Sequence, residues 1–126
     1  MGFRLTPYPL YPVSMDCLFC KIVAGTIPSK KVKEDDLMLA FHDVKPVAPT
    51  HILVIPKKHI KSLADAQSSD HALLGHLMIK AAEIAREQGL GKGYRTVIST
   101  GPQGGQTVDH LHVHILGGRQ MHWPPG

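Results

Sequence analysis

The stretch that most constrains this chain is His110-Leu111-His112-Val113-His114-Ile115-Leu116. Apolar residues at 111, 113 and 115 alternate with histidines at 110, 112 and 114, the period-two pattern of a half-buried strand with one core face. The three imidazoles then project from the other face. Same-face neighbours in a strand lie roughly 6.5–7 Å apart, so the rings can serve one ligand without stacking. Imidazole titrates nearest neutrality, so such a row can supply a nucleophile, a proton donor and an orienting partner at physiological pH. Immediately upstream, Gly101-Pro102-Gln103-Gly104-Gly105-Gln106-Thr107 is rich in turn residues and offers backbone N–H groups that can cradle an anion. Together these read as a phosphate-handling site. A metal site and a solvated strand face are the alternatives.

The segment Gly104-Gly105-Gln106-Thr107-Val108-Asp109-His110-Leu111-His112-Val113-His114-Ile115-Leu116-Gly117-Gly118-Arg119 resembles the signature of the histidine triad (HIT) superfamily. The ending Gly117-Gly118-Arg119-Gln120-Met121-His122-Trp123-Pro124-Pro125-Gly126 narrows the resemblance to the Hint branch, the purine nucleoside phosphoramidases. Ala40-Phe41-His42-Asp43 and Ala48-Pro49-Thr50-His51-Ile52-Leu53-Val54-Ile55-Pro56-Lys57-Lys58-His59 fit the same branch, and the match runs from about Asp16 to Gly126.

At 126 residues the chain has room for one domain with a real core, here residues 16–126 with a tail over 117–126, preceded by an extension over 1–15. Fourteen basic against ten acidic residues give a net charge of +4, scattered apart from pairs such as Lys57-Lys58. That mild excess suits small anions; a nucleic-acid platform needs a concentrated basic stripe with interleaved aromatics. Two cysteines are too few for a disulfide framework and fit a reducing compartment. No apolar run reaches the roughly 18 residues of a membrane span, and the proline-bearing first 14 residues lack a signal-like apolar core. A cytoplasmic protein is expected, with Met15 a candidate start.

Along the chain, Asp16 is expected to cap a short helix through Cys17–Ala24, with Gly25 as its left-handed stop. Residues 31–34 and 37–42 read as strands, and 51–56 as a central strand buried on both faces. Ser69 or Asp70 can cap one long helix with the apolar stripe Leu73, Leu74, Leu77, Met78, Ala81, Ile84 and Ala85, while His71 and His76 are expected in solvent. Residues 94–99 read as a further strand that delivers Ser99 beside the glycine loop, followed by the triad strand. Strands on both sides of one long helix indicate an α+β fold with a predominantly antiparallel sheet and one long and one short helix.

What the resemblance implies about the site is more specific. His112 would be the nucleophile, attacking the α-phosphorus of a purine nucleoside 5′-phosphoramidate, or of an acyl-adenylate, to give a nucleotidyl-histidine that water cleaves to AMP or GMP. His114 would donate to the phosphate, and His51 and His110 would support the site or relay a proton. The backbone of Gly105, Gln106 and Thr107 would hold phosphoryl oxygens, with the Thr107 hydroxyl able to protonate the leaving amine. Phe19 and Ile22, which on spacing alone are core residues, would wall a purine pocket with Phe41 and Val44, and Asp43 would bind the ribose hydroxyls. Ser99 stands where the branch usually has Asn, Thr107 where it usually has Ser, and Asp109 where an aromatic is common. A homodimer is implied, with Trp123 reaching the partner's site; a frayed terminus is the alternative.

Cys17 and Cys20 form a C-x-x-C pair that can be redox-active, plainly buried, or metal-binding. The resemblance implies the last of these: many bacterial histidine-triad proteins place such a pair with two histidines around a structural zinc, and His59 and His110 occupy the matching positions. No cofactor is expected for catalysis. Rival functions are a nucleotide- or zinc-binding scaffold acting through partners, and a dinucleotide hydrolase or nucleotidyl transferase.

Overall fold

The computed structural model describes residues 16–126. The expected extension over 1–15, including Met15, lies outside the described residues.

Two hydrophobic layers enclose one sheet. Five antiparallel strands, β1 (Lys31–Glu34), β2 (Met38–His42), β3 (Thr50–Pro56), β4 (Arg95–Val97) and β5 (Val113–Gly117), stand in the order β1-β2-β3-β5-β4. In β2 and β3 both faces are apolar. Met38, Ala40, Ile52 and Val54 point into one layer, and Leu39, Phe41, Leu53 and Ile55 into the other, as the continuous apolar run at 51–56 leads one to expect.

The first layer is closed by the long helix α2 (His71–Glu87) through Leu77, Ala81, Ile84 and Ala85. Leu111, Val113 and Ile115 join it, so the apolar half of the triad pattern faces α2. Met78 lies at the margin of the helical stripe and is 40% exposed, so it is not part of this core. His76 is not simply solvated: its Nε2 lies 2.7 Å from Asp35 Oδ2. Asp70 does not cap α2 with its side chain. Its carboxylate accepts from the Gln67 N–H at 2.9 Å and from Lys58 Nζ at 2.6 Å, tying the end of β3 to the turn before the helix.

The second layer is closed by the short helix α1 (Leu18–Ala24), which contributes Phe19, Cys20 and Ile22. It starts one residue later than expected. Its N-cap is Cys17, whose sulfur accepts from the Cys20 N–H at 3.3 Å, while Asp16 stays exposed. Gly25 closes it with φ of +83°.

The strands around the triad are shorter than the alternation suggests. Ladder bonding in β5 begins only at Val113, and β4 ends at Val97, so His110, His112 and Ser99 precede or follow regular strand. Facing still alternates from Leu111 to Ile115, since Leu111, Val113 and Ile115 all join the α2 layer, while His110 itself lies in a bend. The histidine side falls where the α1 layer runs out of apolar residues. Among the described residues no helix is long and apolar enough to cross a membrane.

Candidate active site

The site begins with a loop that only glycine can form. A Cβ on Gly104 would stand 2.2 Å from the backbone oxygen of Thr100, and Gly101 and Gly105 have φ of +72° and +84°. Gln106 braces the turn from inside: its Oε1 accepts from the Gly101 N–H at 2.9 Å, and its Nε2 donates to the carbonyls of Lys61 and Val108 at 2.7 and 3.0 Å. The backbone closes the same turn: the N–H groups of Gly104 and Gln106 donate to the Gly101 carbonyl and that of Gly105 to the Pro102 carbonyl, each at 3.1 Å. Thr107 is exposed at the loop's end.

Two backbone groups then set the hydrogen positions on three histidines. His112 Nδ1 lies 2.7 Å from the carbonyl of His110, which can only accept, so Nδ1 carries the hydrogen and Nε2 keeps its lone pair. At His51 the polarity is reversed. The Val47 N–H donates to His51 Nδ1 at 3.1 Å, so the neutral ring carries its hydrogen on Nε2. That hydrogen faces His114 Nδ1 at 2.9 Å, with Asp43 Oδ2 a second acceptor at 3.3 Å. His114 must therefore accept at Nδ1 and donate at Nε2. Burial, followed by the neighbouring His112 and His51, pushes the His114 pKa down to about 4, and burial likewise lowers that of His51. Both rings are neutral at physiological pH. The arrangement presents a bare Nε2 on His112 beside an N–H donor on His114, with ring centroids 4.9 Å apart, closer than strand spacing alone suggests.

His110 leaves this group. It is completely buried, and its Nε2–H donates to the Pro56 carbonyl at 2.8 Å. Its Nδ1 lies 3.3 Å from Cys17 Sγ, 3.6 Å from Cys20 Sγ and 3.2 Å from His59 Nδ1, while Cys20 Sγ lies 3.2 Å from His59 Nδ1. Both ring nitrogens of His110 thus face the cluster and the Pro56 carbonyl, turned away from His112 and His114. The cluster instead fits a metal. A tetrahedral zinc with bonds of about 2.0–2.1 Å to nitrogen and 2.3 Å to sulfur has N···N and N···S edges of roughly 3.4 and 3.6 Å. The separations above match those edges. Burial pushes His110 down to about 4, keeping the ring neutral, and its Nε2–H···O=C bond is the outer support that ligating histidines require.

Asp43, His51 and His114 also converge, their donor atoms lying within 4.8 Å of one another. They suit a metal poorly. A neutral His51 bound to an ion through Nε2 would carry hydrogen on Nδ1, directly against the Val47 N–H.

The remaining residues spread around these centres. Phe19 and Phe41 meet edge-on at 5.6 Å, and with Ile22 they are buried in the layer under α1. Val44 is 92% exposed and lines, with Asp43 and His51, a cavity of about 800 Å³. His42 and Lys30, which the sequence reading did not single out, line the same cavity. Thr107 borders a second cavity of about 520 Å³, which reaches Cys17 and His59. Ser99 is half-buried, and Trp123 is 82% exposed. Val47, Pro56 and Arg119, whose guanidinium donates to the Val47 carbonyl at 3.2 Å, were also missed. Two of these three act through backbone groups, which leave no mark in a sequence.

Residues 24–121 match the family described as the HIT domain. A HIT-like protein of Synechococcus elongatus is 58% identical over 114 residues, covering 90% of this chain and all of that protein. Among solved structures, a HIT family hydrolase from Legionella pneumophila is 52% identical with a TM-score of 0.87, covering 88% of this chain and 100% of that one. A histidine triad nucleotide-binding protein from Candida albicans is 30% identical with a TM-score of 0.75, covering 86% and 83% of the two chains. With the fold, the alternating histidines and these matches in agreement, the chain belongs to the HIT domain family.

Proposed function

We propose that this protein hydrolyses purine nucleoside 5′-phosphoramidates, and acyl-adenylates of the same shape, through a nucleotide bound covalently to His112. The observation that carries the reading is the opposed tautomers of two adjacent rings: a lone pair on His112 Nε2 beside an N–H on His114. A nucleophile and an oxyanion donor are what in-line attack on a phosphorus needs.

In the first half-reaction His112 Nε2 forms a bond to the α-phosphorus as the P–N bond breaks. His112 Nδ1 keeps its hydrogen, and the positive charge of the phosphorylated ring is stabilised by the His110 carbonyl. The His114 N–H and the Thr107 N–H hold the phosphoryl oxygens, and the Gly105 and Gln106 N–H groups, which donate to the Pro102 and Gly101 carbonyls at 3.1 Å, join them by sharing those bonds. The Thr107 hydroxyl hands its proton to the departing amine. In the second half-reaction water attacks the phosphorus, its proton returns to Thr107, and AMP or GMP leaves with His112 regenerated. Asp43 takes the ribose hydroxyls. Its carboxylate is already oriented by the Lys45 N–H, which donates to Oδ1 at 2.8 Å. Phe19, Ile22, Phe41 and Val44 form the base side of the site, with Ser99 at the loop's root. That the similar Legionella protein is a hydrolase and the Candida one a nucleotide-binding protein supports this reading.

Cys17, Cys20, His59 and His110 would hold a structural zinc, which supplies no chemistry to the reaction. In a homodimer the exposed Trp123 would reach the partner's site and sense the leaving amine.

Incubation with adenosine 5′-phosphoramidate should release AMP, and His112→Asn should abolish release while AMP affinity stays within about tenfold, because most ground-state contacts survive. A wild-type protein that binds AMP and releases none from the phosphoramidate would refute the reading.

A further inference from the structure

The segment that presents the nucleophile has little strand bonding to hold it. Residues 110–112 precede the β5 ladder, with Leu111 N–H donating to the Ile60 carbonyl at 2.7 Å. Besides the His114 ring at 4.9 Å, His112 meets two groups that belong to, or are carried by, the Cys/His cluster. Its Nδ1–H donates to the carbonyl of His110, and Phe19 stands edge-on to its ring at 5.2 Å and 90°. His110 is a cluster donor anchored at both ring nitrogens. Phe19 lies between the donors Cys17 and Cys20 on α1 and also meets the His110 ring edge-on at 5.9 Å.

We propose that Cys17, Cys20, His59 and His110 are positioning residues for His112: with the four donors closed on one cation, the His110 carbonyl and Phe19 hold His112 as the Nδ1–H tautomer. This rests on the reading of His112 as nucleophile. A free neutral imidazole favours hydrogen on Nε2, the tautomer that has no lone pair to offer the phosphorus. The cluster therefore works against the ring's own preference. Zinc binding displaces two thiol protons and leaves both Nδ1 atoms as acceptors, which requires the His110 hydrogen to stay on Nε2 and donate to Pro56. With the cluster open, His110 can take its hydrogen on Nδ1 instead, beside the sulfurs. The bond to Pro56 is then lost, and with it the anchor of the carbonyl that orients His112.

His59 gives the cleanest test, since it faces the cluster and no contact joins it to His112. Imidazole ¹⁵N spectra at about pH 8, where free histidine is neutral, report the tautomer directly. Zinc-loaded wild type and His59→Cys, which keeps four donors, should show His112 as Nδ1–H alone. His59→Ala and chelated wild type should show both tautomers, with kcat lower by about tenfold or more, as for loss of metal-site support. AMP affinity should move by less than about threefold, since the nucleotide contacts remain. A single Nδ1–H tautomer in all four samples, mixed tautomers in the zinc-loaded wild type, or a purified protein that takes up no zinc would overturn the proposal. The spectra need no substrate, so this result stands apart from the phosphoramidase assay.

Discussion

A neutral histidine donates through one ring nitrogen only, and in this site backbone groups decide which. The Val47 N–H and the His110 carbonyl, one a donor and one an acceptor, give His51 and His112 opposite tautomers, and His114 inherits its own from His51. Charging His114 would remove the Nδ1 lone pair that accepts from His51, and burial already opposes it. With a pKa of about 4 in the folded protein against 6.5 ordinarily, the unfolded chain binds a proton in that window which the folded one does not. This contribution to stability is therefore complete above 6.5, falls as pH drops, and levels off below about 4. Urea midpoints measured across this range should fall more steeply for wild type than for His114→Gln, whose amide does not titrate. Equal slopes would place the proton elsewhere.

At the scale of elements, glycine separates function from stability. Gly104→Ala would drive a Cβ into the Thr100 carbonyl, so the glycine loop must deform, and on the proposed function activity should fall by more than about tenfold, as when a donor to the oxyanion is lost. Gly75 sits within α2 with nothing near its missing Cβ, and Gly75→Ala should raise stability by about 0.5–1 kcal/mol through helix propensity. Steady-state kinetics and denaturant melts on the two variants check both expectations. The same scale shows what was legible in the sequence. Alternation at 110–115 and the double-faced run at 51–56 gave the right facing, because burial follows side-chain chemistry. Where ladders begin, which atom caps α1, and where Asp70 turns were not legible, since those depend on backbone partners distant in sequence.

For the whole molecule, the sheet acts as a partition. The α2 side carries an unbroken apolar core, and the α1 side grades from Leu39, Phe41, Leu53 and Ile55 into the histidines. Residues of the candidate site and of the cluster lie far apart in sequence, His51 and His59 before α2, His110 to His114 after it, and Cys17 and Cys20 at the cap and in the first turn of α1. Pairing of β3 with β5 joins them, placing Leu53 opposite His114 and His51 opposite Leu116. The residue types and their facing could be read from the chain, but the division of the row, with His110 turned to the cysteines and His112 and His114 to His51, needed the packed α1. On the proposed function, His112 Nε2 takes the nucleotide covalently. Rapid quench of the protein with adenosine 5′-phosphoramidate, followed by peptide mass spectrometry, tests it most directly. An adenylyl group should appear on the peptide bearing His112 at least as fast as AMP is released, and should be absent in His112→Asn. AMP release at the normal rate with no adduct on His112 would contradict it.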